Sequence, residues 1–154
     1  MTRERQAQIV TLAVLGAAVA GIAVFKRRPA PPPPTPQDAV YRMLDAARDG
    51  DVNKYLAAYT GQMEAALKQA VAESGEPAFA RYLKDSSAAV KGVALMEPQP
   101  IAEREVKLRV EYVYQDRNEV QQMVLEKTPA GWRIARVEAA ERVKTLVPYG
   151  TPVR

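Results

Sequence analysis

The stretch Val106-Lys107-Leu108-Arg109-Val110-Glu111-Tyr112-Val113-Tyr114 alternates apolar with charged residues and departs from alternation only at Val113. Successive side chains of a strand point to opposite faces. This period of two therefore predicts a long strand with Val106, Leu108, Val110, Tyr112 and Tyr114 on one face and Lys107, Arg109 and Glu111 on the other. Downstream, Asp116-Arg117-Asn118 predicts a turn into a second strand, Glu119 to Lys127. Thr128-Pro129-Ala130-Gly131 predicts a turn into a third, Trp132 to Ala139. Upstream, Val93 to Met96 adds a further strand.

Before Gly92 the apolar spacing lengthens to that of helices. Thr35, Pro36 and Asp38 stand at the N-cap, first and third positions of a helix whose Val40, Leu44 and Ala47, with Tyr41 beside them, recur until Gly50. Asp51 caps a second, short helix through Tyr55, Leu56 and Tyr59. A third, from Gln62 to Ser74, sets Met63, Leu67, Ala70 and Val71 on one side. Pro77 opens a fourth, with Phe79, Tyr82, Leu83 and Val90 as its stripe before Gly92. Helices followed by an antiparallel meander predict an α+β fold, with the N-terminal helices packed on one face of a curved antiparallel sheet.

Ahead of this domain, Gln8 to Phe25 carries no charge and is closed by Lys26, Arg27 and Arg28. As a helix it reaches roughly 27 Å at about 1.5 Å per residue, close to the ~30 Å hydrocarbon core of a bilayer. Residues 9–25 are expected to form an N-terminal transmembrane helix in contact with lipid. A cleaved signal peptide is the competing reading, with Arg3 and Arg5, an apolar run from Ile9 to Ala17 and the tripeptide Ala18-Val19-Ala20. The apolar run continues past that site through Ile22, Val24 and Phe25, which favours an uncleaved single-pass anchor. Basic residues flank the span almost equally, so orientation rests on the layout of a short tail, one span and a large C-terminal domain, which favours an extracytoplasmic, periplasmic domain. Pro29 to Pro36, PAPPPPTP, predicts an extended polyproline stalk of roughly 25 Å, a ligand for a proline-binding module being the other reading. The expected organisation is an anchor with its flanks at 1–28, a Pro-rich linker at 29–36, the folded domain at 37–143 and a tail at 144–154.

The 154-residue chain has 22 basic and 18 acidic residues, of which residues 1–28 hold five and one, leaving a neutral domain with 17 of each sign. A neutral domain whose long strand mixes both signs argues against nucleic-acid binding. The absence of histidine removes the commonest general base and metal ligand, and the absence of cysteine removes thiolate chemistry. Asp38, Asp45 and Asp49 share a helical face, but Arg42 and Arg48 are interleaved, so ion pairs explain the pattern as well as a metal site does. No catalytic, cofactor-binding or metal-ligating residue is assigned. Tyr41, Tyr55, Tyr59, Tyr112, Tyr114 and Trp132 are the candidate pocket-lining set, weighed against a role in core packing. Alternation puts Ile134 on the side of Trp132, so the indole is expected to turn inward against Val40, Leu44 or Leu83.

The helical opening AVYRMLDAARDGDVNKYLAAY, residues 39–59, and the closing strand GWRIARV, residues 131–137, resemble the NTF2-like, or cystatin-like, cone fold over Gln37 to Val143. The chain is similar in particular to small bacterial export-associated versions carrying an N-terminal anchor. Cone-fold enzymes such as ketosteroid isomerase and scytalone dehydratase place acid, base or histidine groups inside the cone. Without histidine the dehydratase pattern does not carry over, and an isomerase pattern needs a tyrosine with buried carboxylic acids at positions that no motif here marks. The resemblance implies a layout and not a chemistry. The expected function is a membrane-tethered, non-catalytic interaction or assembly module with a protein partner or a second copy of itself. The alternative is a small-molecule pocket protein or isomerase-like enzyme.

An uncleaved anchor predicts that the mature protein retains its first 25 residues. Intact mass measurement of the membrane-extracted chain checks this, and a polypeptide beginning at Gly21 would end the anchor reading.

Overall fold

The computed structural model describes residue 31 and residues 33–143. The expected span at 9–25, most of the linker before Pro33 and the tail at 144–154 lie outside the described residues. Among the described residues, no helix is long and apolar enough to cross a membrane.

Helix α1 spans Pro36–Asp49 and begins with a reciprocal capping box. The Asp38 N–H donates to Thr35 Oγ1 at 3.2 Å, and the Thr35 N–H donates to Asp38 Oδ2 at 2.7 Å. These bonds hold the Asp38 carboxyl below its ordinary pKa, because the Thr35 amide stabilises the charged form. At the other end Gly50 takes φ 68° and returns its N–H to the carbonyls of Ala46 and Ala47. A side chain is strained there by the left-handed backbone, and its Cβ would also have to displace the end of the Lys84 side chain, 2.6 Å away at Cε. The inward face of α1 carries Ala39, Val40, Met43, Ala46 and Ala47. Helix α2, Val52–Ala57, is capped by the Asp51 carboxylate, which accepts from the Lys54 N–H at 3.0 Å. Helices α3, Gly61–Ser74, and α4, Glu76–Ala88, follow. The fourth helix stops short of Val90, and Gly92 opens a strand instead of ending the helix.

The sheet is antiparallel throughout, with β1 Gly92–Leu95, β2 Gln99–Ala102, β3 Glu105–Val113, β4 Asn118–Thr128, β5 Gly131–Val137 and β6 Glu141–Val143. Strands β3 and β4 form its spine, paired from Glu105–Glu126 to Val113–Asn118. The short strands divide the flanks: β1 and β2 both pair with β3, while β5 and β6 both pair with β4. A register shift at Val124/Leu125 leaves Ala135 of β5 without an opposite residue, and a bulge of this kind bends the strand and sharpens its twist.

Alternation along β3 is as the sequence predicts, with Val106, Leu108 and Val110 buried. They meet Met123, Leu125 and Ile134 from β4 and β5, and Ala39, Val40 and Met43 from α1. A second cluster joins Ala47, Val52, Phe79 and Leu83 between the helices. Strands β2 and β6 carry no sequence signal: all four residues of β2 are exposed, and β6 is three residues long.

The helical layer is tied to the sheet by backbone. The Thr60 N–H donates to the Ile134 carbonyl at 3.0 Å, and the Ile134 N–H donates to the Ala58 carbonyl at 2.8 Å. The junction of α2 and α3 thereby occupies the outer edge of β5 at its centre, which would otherwise offer unpaired groups.

Leu125 is fully buried between Val106 of β3 and Ile134 of β5. Leu125→Ala is expected to cost about 2 to 5 kcal/mol, whereas exposed Glu126→Ala should stay within about 0.5 kcal/mol of the parent. Urea unfolding followed by tryptophan fluorescence measures both, and equal midpoints would contradict the packing.

Candidate functional site

The face of the sheet turned toward α1 is packed with apolar side chains. Leu108, Val110, Leu125 and Ile134 are 0% exposed, as is Val40 of the covering helix. Among the described residues no polar or charged side chain is buried.

The aromatic set predicted from sequence divides. Tyr55 and Tyr59 pack against each other beside this core with their rings tilted by 57° and centroids 5.2 Å apart, the Tyr59 hydroxyl donating to the Tyr55 hydroxyl at 3.0 Å. Phe79 packs 6.1 Å from Tyr55. Burial pushes the hydroxyls of Tyr55, Tyr59 and Tyr112 above the ordinary tyrosine pKa, because the neutral form survives desolvation better than the phenolate. Tyr112 borders the same core from β3. Tyr114 lies beyond β3 and serves the β3–β4 turn, with the Arg117 guanidinium 4.3 Å from its ring centroid. Arg117 also donates to Glu119 at 2.6 Å and to Asp116 at 2.9 Å. Tyr41 stands apart from the others, 48% exposed.

Trp132 is partly buried, with one side against the core cluster that contains Val40 and Leu44. Leu83 belongs to the other cluster. The indole thus turns toward Val40 and Leu44, as alternation predicts, and Trp132 also walls an open groove of about 550 Å3. Ala39, Arg42, Asp45, Ala46 and Asp49 line it from α1, at spacings that share one helical side. Lys54 and Ala57 of α2, with Ala58 just after it, form the second wall. Ala130, Trp132 and Arg133, from the β4–β5 turn and the start of β5, form the third. The groove exists because helix and strand meet through alanines, which leave volume where larger side chains would interdigitate.

Two acids of α1, Asp45 and Asp49, are part of the groove lining and share one arginine. Asp45 and Asp49 pair with Arg48 at 2.9 and 3.9 Å, while Asp38 serves the helix cap. Among the described residues no group of acidic side chains is placed to hold a metal ion.

No family model matches the chain, and no curated protein matches it. Solved structures of similar fold are distant. A cystatin-like protein from Ruminococcus gnavus is 17% identical with a TM-score of 0.49, over 71% of this chain and 41% of that protein, so the chain spans about two fifths of its length. A domain of unknown function with a cystatin-like fold from Nostoc punctiforme is 16% identical with a TM-score of 0.41, over 70% of this chain and 75% of that one. A candidate dehydratase of the NTF2-like family from Streptomyces avermitilis is 13% identical with a TM-score of 0.40, over 70% and 92%.

The buried hydroxyl of Tyr59 makes stability sensitive to alkali. Its folded pKa is raised above the unfolded value near 10, so its contribution is complete below pH 10 and is lost as pH rises further. The expected fall is about 1.4 kcal/mol per pH unit for this residue. Tyr59→Phe should cost about 1 kcal/mol at neutral pH through the lost hydrogen bond, yet decline less steeply above pH 10. Denaturant unfolding at pH 8, 10 and 11 checks this, and parallel declines in the two proteins would refute it.

Proposed function

We propose that the chain is a membrane-tethered, non-catalytic module of the NTF2-like cone type. On this reading residues 9–25 anchor it, residues 29–36 space it from the bilayer, and the domain docks a protein partner outside the cytoplasm. The observation that supports the proposal is the apolar packing of α1 against β3, β4 and β5, where no charged side chain is buried among the described residues. The layout of helices followed by a bulged antiparallel sheet supports the cone assignment. With the interior apolar, recognition falls to the surface. There the groove beside Trp132 combines an aromatic wall, a small-residue floor and charged rims, the composition that suits a docking face. The tyrosine hydroxyls next to the core are spent on one another and on packing, as Tyr55 and Tyr59 show.

Photocrosslinking tests the reading. A benzophenone amino acid at Ala130, on the groove, should give a discrete protein adduct in membranes carrying the full chain, whereas the same group at exposed Ser86 of α4 should not. A small molecule co-purifying with the chain, with no adduct from Ala130, would instead support a pocket protein or isomerase-like enzyme.

A further inference from the structure

We propose that the outer edge of β1 pairs with the same edge of a second copy of this chain, antiparallel and centred on Ala94. The inference is independent of the groove beside Trp132 and concerns a different surface. Strand β1 stands at one end of the strand order and pairs with β3 alone. The Met96 N–H donates to the Arg109 carbonyl at 3.0 Å, which makes Leu95 and Val110 an opposed pair that exchanges no hydrogen bond. By the period of two, Leu95 and Val93 therefore turn their N–H and C=O groups away from β3, to the outside. Among the described residues no other backbone group bonds to them. Unlike β2, this strand has neither a proline nor a register shift.

The residues along the edge select both the partner and the register. In a self-paired antiparallel edge the outward groups of one copy must meet the outward groups of the other, so the two-fold axis passes through a residue and not between two. Centred on Ala94, the pairing sets Val93 opposite Leu95 of the second copy, and Lys91 opposite its Glu97. Lys91 and Glu97 are both exposed, and neither makes an ion pair among the described residues. Opposite charges that face each other across strands attract, and the symmetry repeats the pair. The same register sets Met96, 41% exposed, opposite Gly92, where the missing side chain leaves room for it. Centring on Val93 would instead set Lys91 against Leu95, and centring on Leu95 would set Glu97 against Val93. Only the axis at Ala94 answers both charges.

Engineered cysteines read this register, since the chain has no cysteine of its own. At the axis Ala94 meets its counterpart as a pair without hydrogen bonds, where Cα atoms stand about 4.5 Å apart, within disulfide reach. The full chain in mild detergent is oxidised with copper phenanthroline and resolved on non-reducing gels. Ala94→Cys is expected to give a disulfide dimer. Met96→Cys, whose two copies would lie about 13 Å apart along the strands, is expected to give about tenfold less or none. Ala94 is exposed, so its variant leaves the core intact, and an unchanged unfolding midpoint verifies this. Within the Ala94→Cys chain, Lys91→Glu should lower the dimer yield about fivefold by setting like charges opposite each other, and adding Glu97→Lys should restore it. No dimer from Ala94→Cys, equal dimer from Met96→Cys, a yield indifferent to Lys91→Glu, or a loss that Glu97→Lys fails to restore overturns the proposal.

Discussion

Two backbone hydrogen bonds between the α2–α3 junction and Ile134 set the geometry on which the rest depends. They fix the distance between a helical layer and a sheet that are otherwise joined only by side-chain packing, which is adaptable in detail. Ile134 is at once the donor and acceptor of that bridge and a fully buried core residue, so the polar and apolar constraints act at one point. The walls of the groove follow from it. Ala58 precedes Tyr59 and Trp132 lies two residues before Ile134, so both are placed by the same pair of bonds.

The interior and the surface of this domain differ in composition. Packing the face of the sheet turned toward α1 with Leu, Val, Ile and Met gives a core with no buried charge among the described residues, and such a core tolerates no ionised catalytic group without a large desolvation cost. Burial beside that core favours the neutral hydroxyl of Tyr55, Tyr59 and Tyr112, and the first two share a hydrogen bond. Charge is kept to the outside, where Arg48, Arg117 and Lys68 each neutralise acids on their own helix or turn.

Much of this was legible in the residues themselves. The alternation from Val106 to Tyr112, the Asp116–Asn118 turn and the Thr35–Asp38 capping box all have local causes, and local causes leave local patterns. Strands β2 and β6 were not legible, because an edge strand exposed on both faces has no burial to impose a period. The candidate site was only partly legible. Tyr41 and Trp132 look alike as aromatic letters, but only the fold shows that one is exposed and the other stands against α1. The alanines that make the groove leave no signal, since their contribution is the volume they do not fill.

The outer strand β2 carries Pro100 and a register shift between Pro100 and Ala102. Proline offers no amide proton, and an irregular edge presents its carbonyls at the wrong spacing for a regular partner. On the opposite flank the centre of β5 is already taken by Tyr59 and its neighbours. Along these two stretches the border of the sheet is thus a poor template for another strand. Contact made through these two stretches must then be written in side chains, which can be tuned residue by residue, and not in the backbone pattern that every polypeptide shares.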